Sequence, residues 1–143
     1  MRRGFTLVEL VVIILVLGIL AGVAAPKFFR TAALAADNGL RQTLTQIRKA
    51  IELHAAYNTG AFPPCTGSGT DFRAALEPYL RGKFPKCPVG PALNANVIPA
   101  SGGSTVGAAT PTDGWKFNVA DGTFICNFSG PSESDPSIQY DSF

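Results

Sequence analysis

A single carboxylate stands inside a long apolar stretch near the start of the chain. Glu9 is the only ionisable residue between Phe5 and Ala25. A charge inside a membrane helix is costly, so it is normally kept there for a partner. A carboxylate and an ammonium buried together cost far less than either one alone. Glu9 therefore favours a second subunit that brings a cation, and the chemistry expected here is charge pairing that sets the register of assembly.

The element that must position Glu9 is a helix long enough to cross a membrane. A span needs about 20 predominantly apolar residues, and residues 10–25 are an unbroken run of Leu, Val, Ile, Gly and Ala. Gly18 and Gly22 have the spacing that lets two membrane helices approach closely. Pro26 has no amide hydrogen, so it should kink or loosen the helix just before it. We therefore expect a transmembrane helix over residues 5–26.

The same helix should continue beyond Pro26 with an amphipathic face. One face of this half, residues 27–57, is an apolar stripe that should pack on a domain of its own chain. Arg41, Arg48, Lys49 and other polar residues fall on the other faces. The turn signal at residues 58–60 should end it near Tyr57. The apolar positions that define the stripe repeat at intervals of four, three and four residues: Leu40, Leu44, Ile47 and Ile51.

The remaining residues, 58–143, predict a small globular head. A short helix is expected near residues 71–81, with Phe72, Leu76 and Leu80 on its buried face. Trp115, Phe117 and Val119 alternate with polar residues, and a tight-turn signal follows them, which predicts a β-hairpin over residues 115–128. A further short strand is expected near residues 96–98. The predicted fold class is α+β, with the long helix packed on a small antiparallel sheet.

The residues around Glu9 resemble a known family. The segment Gly4-Phe5-Thr6-Leu7-Val8-Glu9, behind a short basic leader and ahead of an apolar span, is similar to the leader junction of type IV pilins and type II secretion pseudopilins. The head features, including a Pro-x-x-Pro segment at residues 85–88, look most like the G-type pseudopilins. The match is specific over residues 1–30 and loose beyond them.

The resemblance implies a processing and assembly pathway. A prepilin peptidase would remove the leader, residues 1–4, by cutting between Gly4 and Phe5, and would N-methylate the new Phe5 amine. Glu9 would then meet the Phe5 amine of a neighbouring subunit in a helical filament. Gly18, Gly22 and Pro26 would form the soft, closely packed part of the assembled helix. The expected partners are copies of the same chain, other pseudopilins, the peptidase and an inner-membrane assembly platform, with the head in the periplasm.

Charge and composition exclude several other functions. The net charge is +2, and removal of Arg2 and Arg3 with the leader leaves ten basic and ten acidic residues. We therefore expect no nucleic-acid binding, and interpret Arg41, Arg48 and Lys49 as a solvated helix face. His54 is the only histidine, and no local signature supports a Cys–His dyad. The chain is not expected to be an enzyme.

The cysteines and the acidic residues of the head allow two further expectations. An oxidising compartment favours one disulfide among the three cysteines. Cys65 and Cys87 both lie in Pro-rich loops and are the favoured pair, with Cys126 as a buried thiol. No cofactor is expected. Because some related major pseudopilins bind calcium in C-terminal loops, Asp113, Asp121 and Asp135 are weak calcium candidates.

The sequence predicts a structural subunit of a type II secretion pseudopilus that polymerises for protein export. A type IV pilus subunit for adhesion, motility or DNA uptake is the alternative within the class. A membrane-anchored periplasmic binding module is the alternative outside it. Two simpler interpretations stay open: a plain anchor whose Glu9 reaches the lipid headgroups, and a secretory signal peptide cut after Ala24.

Overall fold

One long helix dominates the computed structural model, which describes residues 5–100 and 112–143. Helix α1 spans Leu7–Tyr57, 51 residues. Thr6 caps its start in an extended conformation, and the Thr6 hydroxyl accepts a hydrogen bond from the Glu9 amide. Pro26 lies inside the helix and does not end it. The helix ends at Tyr57, where the amide of Asn58 still donates to carbonyls of the last turn.

The two parts of α1 have different surroundings. Every residue from 5 to 32 is exposed, so nothing in the described parts of the chain buries this stretch. From Ala33 onward one face is buried against the head, and the intervals between buried positions are those of a helical stripe. The predicted apolar stripe is therefore confirmed, and it is longer than expected: Ala33, Asp37, Leu40, Leu44, Ile47, Ala50 and Ile51 are all buried.

The short helix of the head is divided into two turns of different type. Helix α2 spans Thr70–Leu76, and a 3-10 helix follows over Glu77–Tyr79. Pro78 lies within the second turn and has no amide hydrogen to donate, which explains why the α-helical pattern does not continue to residue 81. Phe72 and Leu76 are fully buried as predicted, whereas Leu80 is only partly buried.

The sheet has three short strands in the order β1-β2-β3. Strands β2 (Trp115–Phe117) and β3 (Phe124–Cys126) are antiparallel, which confirms the predicted hairpin. Strand β1 (Val97–Pro99) pairs with β2 in parallel, with Val97 opposite Trp115. The expectation of an antiparallel sheet is therefore wrong, and the sheet is mixed. A parallel pair needs a long crossover connection, and the chain between β1 and β2 is long enough to provide one.

The core lies between the α1 stripe, α2 and the sheet. Its centre is aromatic: the rings of Phe72 and Phe117 have centroids 4.5 Å apart, and Phe72 stacks on Phe124 at 5.8 Å. Trp115 is fully buried, and its indole N–H donates to the carbonyl of Pro85 at 3.1 Å. The second half of α1 is thus part of the head, while its first half extends beyond it.

Candidate filament interface and the contacts that hold the head

Phe5 lies just before the start of α1, and Glu9 lies in the first turn of the helix. A negative charge there is stabilised by the unpaired amide groups of the helix start. The Phe5 side chain is 70% exposed. Within residues 5–100 and 112–143, no cation forms an ion pair with the Glu9 carboxylate. Gly4 and the rest of the predicted leader lie outside the described residues, so the predicted cleavage site stays a prediction.

The exposed half of α1 has an apolar surface that no described residue of its own chain covers. By length and composition alone, helix α1 contains a stretch that could cross a membrane. Single exposed apolar side chains are ordinary, but a contiguous surface of this extent indicates a lipid or protein partner. The apolar side chains with the highest exposed fractions in this part of the helix are Leu7, Val8, Leu15, Ile19, Leu20, Val23, Phe28 and Phe29.

Gly18, Gly22 and Pro26 all lie in the exposed half of α1. A Cβ atom added at Gly18 or at Gly22 would meet nothing within 4 Å, so neither glycine is required for packing inside the chain. Pro26 cannot donate to the carbonyl of Gly22, which stands four residues earlier in the helix. The structure therefore leaves all three residues available for contacts between chains.

A buried carboxylate joins α1 to the end of the head, and the sequence prediction missed it. Asp37 is 4% exposed and accepts hydrogen bonds from the hydroxyls of Ser132, Ser134 and Tyr140, the last at 2.7 Å. Burial alone would raise the pKa of Asp37, but the three hydroxyl donors outweigh it and hold that pKa below its ordinary value. One sequence signal indicated this contact: Asp37 has the helical spacing of the buried apolar positions on either side of it.

Two of the predicted solvated cations are used inside the chain. The Arg48 guanidinium donates to the carbonyl of Phe124 from Nε at 3.1 Å and from Nη2 at 2.9 Å, and to the carbonyl of Phe143 at 2.6 Å. The guanidinium of Arg41 lies 3.9 Å from the centre of the Phe143 ring. These contacts fasten the last residues of the head to α1 and leave little of a basic strip for nucleic acid.

The cysteines are arranged differently from the prediction. All three are buried free thiols in this structure. The Sγ atoms of Cys87 and Cys126 are 3.4 Å apart, whereas the Cys65 thiol faces the carbonyl of Val97 at 3.8 Å. The expected pairing of Cys65 with Cys87 is therefore not the one the geometry favours. The sequence could not show this, because the two cysteines are 39 residues apart and come together only when the head folds.

The thiols also differ in acidity. Burial, assisted by the nearby Asp71 carboxylate, raises the pKa of Cys65 to about 11. The hydrogen bond from Cys126 lowers the pKa of Cys87, and the same contact together with burial raises the pKa of Cys126. Cys87 is thus the more acidic member of the adjacent pair.

The weak calcium candidates have local partners of their own. Asp121 accepts from the Asn118 amide group and the Thr123 backbone, and Asp135 accepts from Ser137. Hydrogen bonds from the Thr123 side chain and backbone hold the pKa of Asp121 below its ordinary value, and those from the Ser137 side chain and backbone do the same for Asp135. Asp113 accepts from Thr112. Over the described parts of the chain, no three His, Cys, Asp or Glu side chains are grouped so that they could hold a metal ion.

The sole histidine is part of the packing at the end of α1. Its Nδ1 atom lies 3.2 Å from the carbonyl of Ala61, and its ring meets Tyr79 edge-on at 5.8 Å. These contacts give His54 a structural role at the end of α1.

Comparisons with known proteins agree with the architecture. Residues 1–25 match the family model described as the prokaryotic N-terminal methylation motif. A curated relative, the type IV major fimbrial protein FimA of Dichelobacter nodosus, is 26% identical over 148 residues, which cover 96% of this chain and 95% of the relative. No solved structure gave a significant match.

These findings define the class of the protein. A long N-terminal helix with an exposed apolar half, packed on a small α+β head, is a pilin-like architecture. The methylation motif and the near full-length similarity to a type IV fimbrial protein agree with this architecture.

Proposed function

We propose that the chain is processed between Gly4 and Phe5 and assembles through the exposed half of α1 into a helical filament. The observation that supports this most is the combination of an uncovered apolar rod with one carboxylate in its first turn. Before assembly the rod would lie in the inner membrane, with the head in the periplasm. In the filament the same rods would pack side by side in the core.

The charge of Glu9 gives this assembly a register. In a dry filament core an unpaired carboxylate is costly, and a pair with a neighbour's terminal ammonium offsets most of that cost. Cleavage before Phe5 would create such an ammonium, one helical turn ahead of Glu9 in the sequence. The amine of one subunit would therefore be placed at the depth of Glu9 in the next, and subunits out of register would bury two unpaired charges.

Two kinds of filament are candidates, a surface type IV pilus and a type II secretion pseudopilus. The similarity to a type IV major fimbrial protein extends over nearly the whole chain and is compatible with both. The resemblance of the short helix, the Pro-x-x-Pro segment and the Trp115 hairpin to G-type pseudopilins favours a type II secretion pseudopilus. Prepilin peptidase and an inner-membrane assembly platform would be partners in both, and other pseudopilins in the second. In neither case would the chain be an enzyme.

The test of assembly compares Glu9→Gln with Glu52→Gln in cells. Both changes remove one carboxylate from α1, but Glu52 is an exposed residue of the head half. We expect Glu9→Gln to reduce the yield of sheared or pelleted filaments at least tenfold while membrane levels of the chain stay the same, and Glu52→Gln to leave the yield unchanged. Equal filament yields for both variants would overturn the charge-pairing proposal.

Mass analysis of the chain from its own membranes tests the processing step. We expect an N-terminus at Phe5 carrying one added methyl group. A chain that still begins at Met1, or one cut after Ala24, would exclude the filament pathway. Deletion of the gene then separates the two filaments: loss of surface fibres under the electron microscope indicates a pilus, and loss of an exported protein from the medium indicates a pseudopilus.

A further inference from the structure

We propose that Cys87 and Cys126 are joined by a disulfide in the mature chain. The proposal goes beyond filament assembly and concerns how the head is held together. It rests on the proposed function in one respect, because it requires that the head be exported to an oxidising compartment. The structure supplies the other requirement, which is that the two thiols already lie side by side.

The two sulfur atoms are in direct contact. Their separation is 3.4 Å, and a disulfide needs about 2.05 Å. Small side-chain rotations can close a gap of this size. Both side chains already point toward each other across the core, with Cys87 1% and Cys126 0% exposed.

The backbones on both sides are fixed by neighbouring contacts. Cys126 is in β3 and stands opposite Trp115 of β2. The Cys87 amide donates to the carbonyl of Asn94 at 2.9 Å. A Cβ atom added at Gly114 would come within 2.8 Å of the Cys87 Cβ atom, so the loop that carries Cys87 is pressed against the start of β2. The pair is therefore held in place by the fold and does not depend on a mobile loop.

Cys65 is the thiol that stays unpaired. Its Sγ atom is directed at the carbonyl of Val97 on β1, and the other two sulfur atoms are engaged with each other. The geometry thus selects one of the three ways in which three cysteines can pair.

Bond formation needs an oxidant, and an oxidised dithiol catalyst of thiol–disulfide exchange is the chemical class that fits. The thiolate of Cys87 attacks one sulfur of the catalyst's disulfide, and the catalyst's other sulfur leaves as a thiolate. The thiolate of Cys126 then attacks the Cys87 sulfur of this mixed disulfide and releases the catalyst as a dithiol. The head loses two protons and two electrons, and the catalyst gains two electrons and, as its two thiolates are protonated, two protons. Because the folded head buries both sulfurs, the exchange takes place before the core has closed.

The test is the number and position of thiols in the full-length mature chain purified from its own membranes. Cells are quenched in acid, and the chain is then unfolded and alkylated with N-ethylmaleimide. We expect one alkylated cysteine without reductant and three after reduction, with Cys87 and Cys126 in one disulfide-linked peptide. Cys65→Ser is the matched control and should leave the linked peptide in place. Cys126→Ser should abolish the linked peptide.

Three free thiols in the quenched chain, or a linked peptide that contains Cys65, would overturn the proposal. A second arm then identifies the reason. The purified reduced chain is unfolded and refolded in detergent with oxidised glutathione, a disulfide oxidant that needs no cellular compartment. If the Cys87–Cys126 bond forms there but not in cells, the assignment of the head to an oxidising compartment is wrong. If it does not form there either, the geometric argument is wrong, and the proposed filament function is unaffected.

Discussion

Replacement of Asp37 should separate the end of the head from α1. The carboxylate is the acceptor for three hydroxyl groups that come from residues about a hundred positions later in the chain. Asp37→Ala removes the acceptor and leaves the buried Tyr140 hydroxyl without this partner. Asp37→Asn keeps the shape and one of the two oxygen atoms. The two variants therefore distinguish the loss of the charge from the loss of the whole contact.

The size of the effect follows from the number of bonds. A hydrogen bond to a charged group contributes about 1.5–3 kcal/mol, and bonds that share one acceptor do not add in full. We therefore expect the free energy of unfolding to fall by about 3–4 kcal/mol for Asp37→Ala and by about 2 kcal/mol for Asp37→Asn. In a domain of this size, each kcal/mol lowers the Tm by about 4–8 °C.

The same contact predicts how stability depends on pH. The pKa of Asp37 is lower in the folded chain than its ordinary value, so the folded state binds this proton more weakly than the unfolded state does. The stabilisation is therefore complete above about pH 5 and is lost as the pH falls through and below the unfolded pKa of about 3.9. Wild type and Asp37→Asn should converge in stability over that acidic range.

The assay is the fluorescence of Trp115 in the full mature chain in detergent. Trp115 is the only tryptophan and is fully buried in the head, so it reports unfolding of the head while the helix in the detergent stays folded. Glu52→Ala, an exposed acid of the same helix, is the control and should change stability by less than about 0.5 kcal/mol. An Asp37→Ala chain as stable as this control, or a difference that does not shrink in acid, would refute the reasoning.

Two further predictions use the same assay. Arg48→Met removes three guanidinium bonds to two backbone carbonyls of the head and should lower the free energy of unfolding by about 2 kcal/mol; an unchanged Tm would mean that water replaces them. Gly69→Ala should cost about 2–3 kcal/mol, because φ is +68° and the new Cβ atom would lie 2.4 Å from the Val97 carbonyl oxygen. Gly60→Ala, with φ +88° but open space around it, is the matched control at about 1 kcal/mol, and equal costs would contradict the steric argument.

The parts of the fold that sequence could predict are those with a local repeat. The interval pattern of Leu40, Leu44, Ile47 and Ile51 fixes the buried face of α1, and the turn at Asn58 fixes its end, because both depend on residues within a few positions. The β2–β3 hairpin was predictable for the same reason, since its strands are joined by a short turn. The run of apolar residues around Glu9 likewise predicted the exposed apolar half of α1 from composition alone.

The parts that could not be predicted are contacts between distant segments. Strand β1 joins the sheet in parallel through a long connection, and no local pattern distinguishes that from an antiparallel pairing. Asp37 finds its hydroxyl partners, and Cys87 finds Cys126, only after the strands and α1 have packed. In each case the residue type was visible in the sequence, but its partner was decided by tertiary structure.

The division of α1 at Ala33 has a consequence for the route from membrane to filament. No residue from 5 to 32 is buried by the described part of the head. On the proposed assembly pathway, exchanging lipid for neighbouring helices would therefore break no bond that holds the head together, and the head could keep one conformation throughout. Movement of a subunit from membrane to filament would then only replace one apolar environment with another, without unfolding the head.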